Sequence, residues 1–352
     1  MSSLRRTSAA ICLTALCLGA GPTATAGTGV PLFSSEEPLE VTIRAPFKEI
    51  MRERSTEEDL QGQLTYRDAD GSDVTLDIGI RTRGNYRRQQ RICPFAPLRL
   101  SFGKKDTKDT IFEGSRNLKL VTHCRNGAVG YTQSLLREHL AYRILNRMTD
   151  ESFRVRLLHI SYEDSDAGEP FEINYGFLIE HRNQLAERIG LEVNKAESAS
   201  ITALSTEHTN LGSLFQYLIG NTDFSPIRGA AGEMCCHNYV LFGSAPGNMR
   251  SIPYDFDMSG IVDADYATPN PRFRLRSVRD RLYRGRCENN DALEQSIAAF
   301  QSKRDEIFAL VTEPEWFSNA SRRKTIRFLN EFYATIDNPK QVDAKLVNRC
   351  LK

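Results

Sequence analysis

Asn221-Thr222-Asp223, Cys235-Cys236-His237-Asn238-Tyr239 and Ile252-Pro253-Tyr254-Asp255-Phe256-Asp257-Met258-Ser259-Gly260 follow one another within the stretch 221–260. The order is an acid, then an amide, then a pair of acids at the end of an apolar run. These are the residue types that phosphoryl transfer needs. One carboxylate orients a nucleophile, while an amide and further carboxylates hold the divalent metal that neutralises a nucleotide's phosphates. Asp255 and Asp257 flank Phe256, so a short extended segment directs both carboxylates to one side. Two like charges so close repel unless a cation sits beside them, which favours a metal over a solvated loop. Asp223 also has a plainer reading. Gly220-Asn221-Thr222-Asp223 is good helix-ending turn chemistry after the apolar run 211–219.

Around this stretch the chain changes character. Val41, Ile43 and Ala45 alternate with polar residues, as do Val74, Leu76, Ile78 and Ile80, and then Leu98, Leu100 and Phe102. The alternation predicts strands, with Asp70-Gly71 as a hairpin turn. Residues 118–121, 155–162 and 175–179 continue the pattern. One helix interrupts it near 132–148, with Leu136, Leu140, Ile144 and Met148 at four-residue steps. Beyond His181 the periodicity is helical: a buried helix at 211–219, an apolar stripe from Leu293 to Leu310, and a last helix at 326–336. Two short strands are expected within 239–260.

Two cationic features stand in the β-rich part. Arg81-Thr82-Arg83-Gly84-Asn85 closes an alternating strand, and Lys119 lies within Asn117-Leu118-Lys119-Leu120. Arg83 and Lys119 are candidate contacts for a nucleotide's phosphates, with Glu138 on the helix as the carboxylate partner of Lys119. The plain alternative is surface charge on a half-exposed sheet. His237 is a poor ligand for Mg²⁺, which prefers oxygen donors.

These motifs resemble the atypical kinases of the spore-coat-protein-H (CotH) family. That family carries Arg-Gly-Asn after an early strand, matched by Arg83-Gly84-Asn85. A helix matched by 135–145 follows, then a strand with Gly near its start and Glu near its end, matched by Gly176 to Glu180. Next come Asn-x-Asp, Asn-Tyr and aromatic-Asp-x-Asp, matched by Asn221-Thr222-Asp223, Asn238-Tyr239 and Tyr254-Asp255-Phe256-Asp257. The likeness covers residues 75–260. It implies Asp223 as the catalytic residue, Asn238 and Asp255 as metal ligands, and Asp257 as a third ligand or orienting neighbour. It also places Glu180 near an adenine site. The chain departs from ordinary protein kinases in lacking G-x-G-x-x-G and His-Arg-Asp. Tyr254 stands where the family usually has Trp.

The expectation is therefore an α+β, bilobed atypical protein-kinase-like fold. A β-rich N-terminal lobe (27–182) would precede a mainly helical C-terminal lobe (183–352), with the catalytic and metal-binding segment at 221–260. The implied activity is transfer of the ATP γ-phosphoryl group to a protein Ser or Thr, with Mg²⁺ or Mn²⁺. Rival readings are an inactive kinase-like envelope binding protein and a metal-dependent nucleotide-sugar transferase. A cysteine nucleophile at Cys235 or Cys236 is weaker, because adjacent residues rarely present the required geometry to His237.

The N-terminus reads as an export signal. Arg5 and Arg6 precede an apolar run from Ala9 to Ala20, and Ala24-Thr25-Ala26 fits a cleavage site. Signal 1–26, periplasmic or extracellular location, and an envelope or secreted protein substrate follow as expectations. So does a mature chain without a transmembrane segment. With 46 basic and 45 acidic residues there is no global field for nucleic acid. The arginine runs 81–91 and 272–286 remain local phosphate-binding candidates. Forty per cent hydrophobic and 26 per cent charged residues make an ordinary globular composition, which excludes a disordered chain. Six cysteines remain after the signal: Cys93, Cys124, Cys235, Cys236, Cys287 and Cys350. An even number in an exported chain predicts disulfides, with Cys235 and Cys236 expected to find distant partners rather than each other.

Overall fold

The computed structural model of the chain describes residues 30–167 and 169–352. The expected export segment 1–26 lies outside the described residues, as do residues 27–29. A 3₁₀ turn at Pro31–Phe33 buries Leu32 and Phe33 against the first core.

Seven strands close into one barrel: β1 (Leu39–Ala45), β2 (Leu60–Arg67), β3 (Asp73–Thr82), β4 (Leu98–Phe102), β5 (Asn117–Val121), β6 (Val155–Asp164) and β7 (Pro170–Ile179). The order around the barrel is β1-β2-β3-β4-β5-β7-β6. All neighbours are antiparallel except β1 and β6, which run parallel from Leu39 opposite Leu158 to Ala45 opposite Asp164. That parallel seam corrects the expected bilobed kinase-like fold with its β-rich N-terminal lobe. Closure leaves the sheet no free edge, and every ladder finds a partner. The alternation seen in the sequence gives each strand its inward row. Ile43, Leu64, Ile78, Ile80, Leu100, Leu118, Ile160 and Leu178 meet in the barrel core and are at most 1% exposed. Each such side chain contributes about 1.5–3 kcal/mol by leaving water.

Helices occupy the spaces between and after the strands: α1 (Phe47–Glu53), α2 (Val129–Met148), α3 (Arg182–Ile189), α4 (Thr206–Ile219), α5 (Leu293–Ser302), α6 (Arg304–Thr312), α7 (Asn319–Ile336) and α8 (Pro339–Lys345). The apolar stripe 293–310 is thus two helices broken at Lys303. A two-stranded hairpin of β8 (Tyr239–Phe242) and β9 (Arg250–Pro253) sits within the helical part. The second core does not respect a lobe boundary. It runs from Leu136, Leu140 and Ile144 of α2 and Leu157 and Phe177 of the barrel, through Leu214 and Phe215 of α4, to Phe328 and Phe332 of α7. Helix α2 therefore bridges the barrel and the helices. Among the described residues no helix is long and apolar enough to cross a membrane.

Among the described residues all six cysteines are paired: Cys93 with Cys124, Cys287 with Cys350, and Cys235 with its neighbour Cys236. The last pair corrects the expectation of distant partners, since the other four pair among themselves. The Cys287–Cys350 bridge ties the segment before α5 to the end of the chain across 63 residues. Replacing both cysteines by Ala should lower unfolding free energy by about 2–4 kcal/mol, because the unfolded chain regains that loop's freedom. Urea titration of the oxidised wild type against the double variant measures it. Identical midpoints would show that the bridge adds nothing.

Candidate functional site

Helix α4 ends where Gly220 adopts a left-handed conformation, with φ 65°. The chain then turns through Asn221, whose Oδ1 accepts the Asp223 N–H at 2.9 Å. Two backbone bonds tie this turn to the acid pair. Gly260 N–H donates to the Gly220 carbonyl at 3.1 Å, and Ile261 N–H to that of Ile219 at 2.9 Å. The approach demands glycine: a Cβ on Gly260 would lie 2.6 Å from the Val278 carbonyl oxygen.

The β8–β9 hairpin supplies the other side. Tyr239 pairs with Pro253, and Tyr254 N–H donates to the Asn238 carbonyl at 3.0 Å, so Asn238 stands opposite Tyr254 at the hairpin's open end. Asn238 Nδ2 donates to the Asp223 carbonyl (2.7 Å) and carboxylate (3.1 Å). Its amide oxygen accepts no hydrogen bond among the described residues. His237 Nε2 lies 2.8 Å from the other Asp223 carboxylate oxygen. Those bonds fix Asp223 in charge. The hydrogen bond from His237, more than any other contact, holds the carboxyl below its ordinary range against the effect of burial; the same contact raises His237.

Asp255 and Asp257 are anchored by the residue between them. Phe256 is fully buried, its ring 4.6 Å from that of Tyr142 and 5.2 Å from that of Phe215. Asp255 has φ 64°, and its N–H donates to the Tyr142 hydroxyl at 2.8 Å. Asp257 is buried and accepts from the Tyr266 hydroxyl at 3.1 Å. Burial first, and then the neighbouring Asp255 charge, push Asp257 up to about 7.

A wall of cations faces the pair. Arg87 lies 3.2 Å from Glu138 and donates to the Thr122 carbonyl at 2.9 Å. Burial opposes its charge, but Tyr266, Glu138, Asp257 and Asp255 together hold its pKa above the ordinary value. Burial raises Glu138 to about 8, against the pull of Arg87. Lys119 sits over the Tyr254 ring, 4.3 Å from its centroid. The protein packed around its base, helped by Arg83, lowers Lys119 from the ordinary lysine range, although the side chain stays exposed to solvent, which blunts the effect. Three polar atoms here are buried without a hydrogen-bond partner: Arg83 Nε, Arg87 Nε and Glu138 Oε1.

The structure thus gathers Arg83, Lys119, Glu138, Asp223, Asn238, Asp255 and Asp257 into one electrostatic cluster, drawn from β3–β5, α2 and the hairpin. Glu180 stands apart. Its carboxylate is buried against Arg188 at 2.8 and 3.0 Å and accepts the Arg154 N–H, so its oxygens are engaged within the protein. The partner of Glu138 is Arg87 rather than Lys119. Arg87 went unrecognised in the sequence because nothing singles it out within the run 81–91. His237, set aside there as a poor metal ligand, holds Asp223.

No family model matches this chain, and no curated protein does. The likeness to CotH-like kinases therefore rests on the quoted motifs alone.

The donor chemistry suits a hard divalent cation. Asp255, Asp257 and the uncommitted Asn238 amide oxygen are all oxygen donors, and a cation between the carboxylates would relieve the repulsion that raises Asp257. Among the described residues no three His, Cys, Asp or Glu side chains gather into a metal-sized group. The amide oxygen, solvent or phosphate oxygens would have to complete the coordination. Two cavities of about 250 and 620 Å³ lie elsewhere, beside Arg143 and Arg147 and beside Phe47 and Phe171. Neither is lined by Asp223, Asp255 or Asp257.

Proposed function

We propose that the chain is an exported, metal-dependent phosphotransferase, passing the γ-phosphoryl group of ATP to a Ser or Thr hydroxyl of an envelope or secreted protein. The motifs it shares with CotH-like kinases support this reading without requiring their fold. The observation that carries it is the meeting of two repelling carboxylates with three cationic side chains, Arg87 buried, Arg83 half-buried and Lys119 exposed, whose donors are incompletely used. Phosphoryl transfer needs such a balance, with a metal site beside a phosphate clamp. In this reading Asp255, Asp257 and Asn238 hold Mg²⁺ or Mn²⁺, which neutralises charge on the phosphates. Lys119, Arg83 and Arg87 face the phosphate oxygens from the barrel side. Asp223, fixed by His237 and Asn238, orients the acceptor hydroxyl and governs its proton. Burial of Arg87, Glu138 and Asp257 strengthens the charges at the floor of the site.

A ligand that binds only the folded state stabilises it by mass action, by about 2.7 kcal/mol at a hundredfold excess over Kd. The thermal midpoint of the oxidised protein should therefore rise with ATP plus Mg²⁺ or Mn²⁺, and not with ATP and a chelator. Asp255→Ala should abolish the rise. No shift with any metal nucleotide would sink the phosphotransferase reading. A shift with a UDP-sugar in place of ATP would replace it with a glycosyl-transfer one.

A further inference from the structure

Between Asn270 and Arg286 the chain carries seven arginines. Arg279 pairs with Asp263, and Arg281 with Glu331. Arg284 donates to the carbonyls of Thr222 (2.9 Å) and Phe224 (2.7 Å), the residues on either side of Asp223. Its guanidinium lies between two rings, 4.5 Å from the Phe224 centroid and 4.7 Å from that of Phe273. Phe273 is the residue between Arg272 and Arg274. This sandwich pins a basic strip beside the Asp223 turn. Arg272, Arg274 and Arg276 on that strip are exposed, and none has a carboxylate partner among the described residues. The nearby Asp280 carboxylate is engaged with the backbone N–H groups of Arg276 and Ser277.

Three exposed guanidinium groups with no internal partner follow one another on this strip, and Arg272 with Phe273 ties it to Arg284 and so to the Asp223 turn, an arrangement suited to an anionic acceptor. We propose that Arg272, Arg274 and Arg276 form a docking surface for an acidic polypeptide segment, whose Asp and Glu side chains flank the accepting hydroxyl. This deepens the phosphotransferase reading and rests on it for the word acceptor. The cations assigned to the nucleotide, Lys119, Arg83 and Arg87, gather on the barrel side around Asp255, whereas Arg272 lies within electrostatic range of Arg284, which holds the backbone on either side of Asp223. The strip is thus free for a second anion while ATP is bound. Arginine suits the task because its planar fork matches a carboxylate.

The test uses the full oxidised chain and two fluorescent peptides, one with Ser flanked by Asp and Glu, the other with Ser flanked by Gln and Ala. Anisotropy at low salt should show the acidic peptide binding about tenfold tighter, as rim charges do when complementary. The difference should vanish at about 0.5 M salt. It should also vanish in Arg272→Glu/Arg274→Glu/Arg276→Glu, while that variant keeps its ATP-dependent thermal shift as proof of an intact fold. Equal binding of both peptides, or an acid preference that survives the triple reversal, overturns the docking surface. So does an oligonucleotide of equal charge that displaces the acidic peptide at lower concentration, since the strip would then read phosphate backbones. Peptide binding needs no ATP. A missing nucleotide shift sinks the phosphotransferase reading separately, whichever way the peptides behave.

Discussion

Asp223→Asn should lower phosphoryl transfer by about 10²–10⁴-fold, the usual worth of a group positioned to handle a proton, while the metal-dependent ATP shift remains. The reasoning is geometric. Asp223 stands on the turn after α4, tied by His237 at 2.8 Å and by Asn238 at 3.1 Å, and outside the acid pair proposed to hold the metal. The amide fills the same space and keeps a carbonyl oxygen for one donor. It loses the negative charge that steadies His237 and draws the hydroxyl proton. Binding and turnover should therefore separate: KM for ATP stays near wild type and kcat falls. Steady-state kinetics with a Ser peptide read both. A variant with wild-type kcat would remove Asp223 from the chemistry and leave it a turn residue.

Arg87→Ala should be the most destabilising single change at the site, costing about 3–5 kcal/mol at alkaline pH, where Glu138 is ionised. Glu138 is 2% exposed and Arg87 9%, so truncation strands a buried carboxylate and removes the donor to Thr122. Asp257, also buried, loses its counter-charge. The loss should depend on pH with a definite sign. The folded-state pKa of Glu138 is raised, so the folded protein binds that proton more tightly than the unfolded chain. Stability from the protonated carboxyl is present below its ordinary range and fades as pH rises toward about 8. Unfolding by urea should then show a smaller deficit at acidic than at alkaline pH. Arg87→Met combined with Glu138→Leu should recover much of it, because an apolar pair of similar volume needs no counter-charge. A deficit equal at both pH values would mean the cost is packing, with no part from the stranded charge.

Much of the local structure was legible. Alternation at Val41–Ala45, Val74–Ile80 and Leu98–Phe102 marks β1, β3 and β4, because a half-buried strand must alternate. The four-step apolar series from Leu136 to Met148 marks α2 for the same kind of reason. The site was legible where chemistry is local: Asp255 and Asp257 repel whatever the fold, and Asn238 is the residue that opens the hairpin. The helix α3, the break at Lys303 and the pairing of Cys235 with Cys236 were not. A short helix carries too few periods to announce itself, and cysteine count constrains pairing without choosing it.

By itself the sequence determined which faces are apolar, where turns fall and which residue types meet in the stretch 221–260. Only the tertiary structure decided that β1 meets β6 and closes the barrel, that Glu138 belongs to Arg87, that Glu180 is locked to Arg188, and that His237 holds Asp223. The reason lies in range. Periodicity and turn chemistry act between residues a few positions apart, so they are written along the chain. Strand partners and charge partners are chosen by distance in space after long loops have closed, and a strand's alternation says which face it buries but not whose edge it will find.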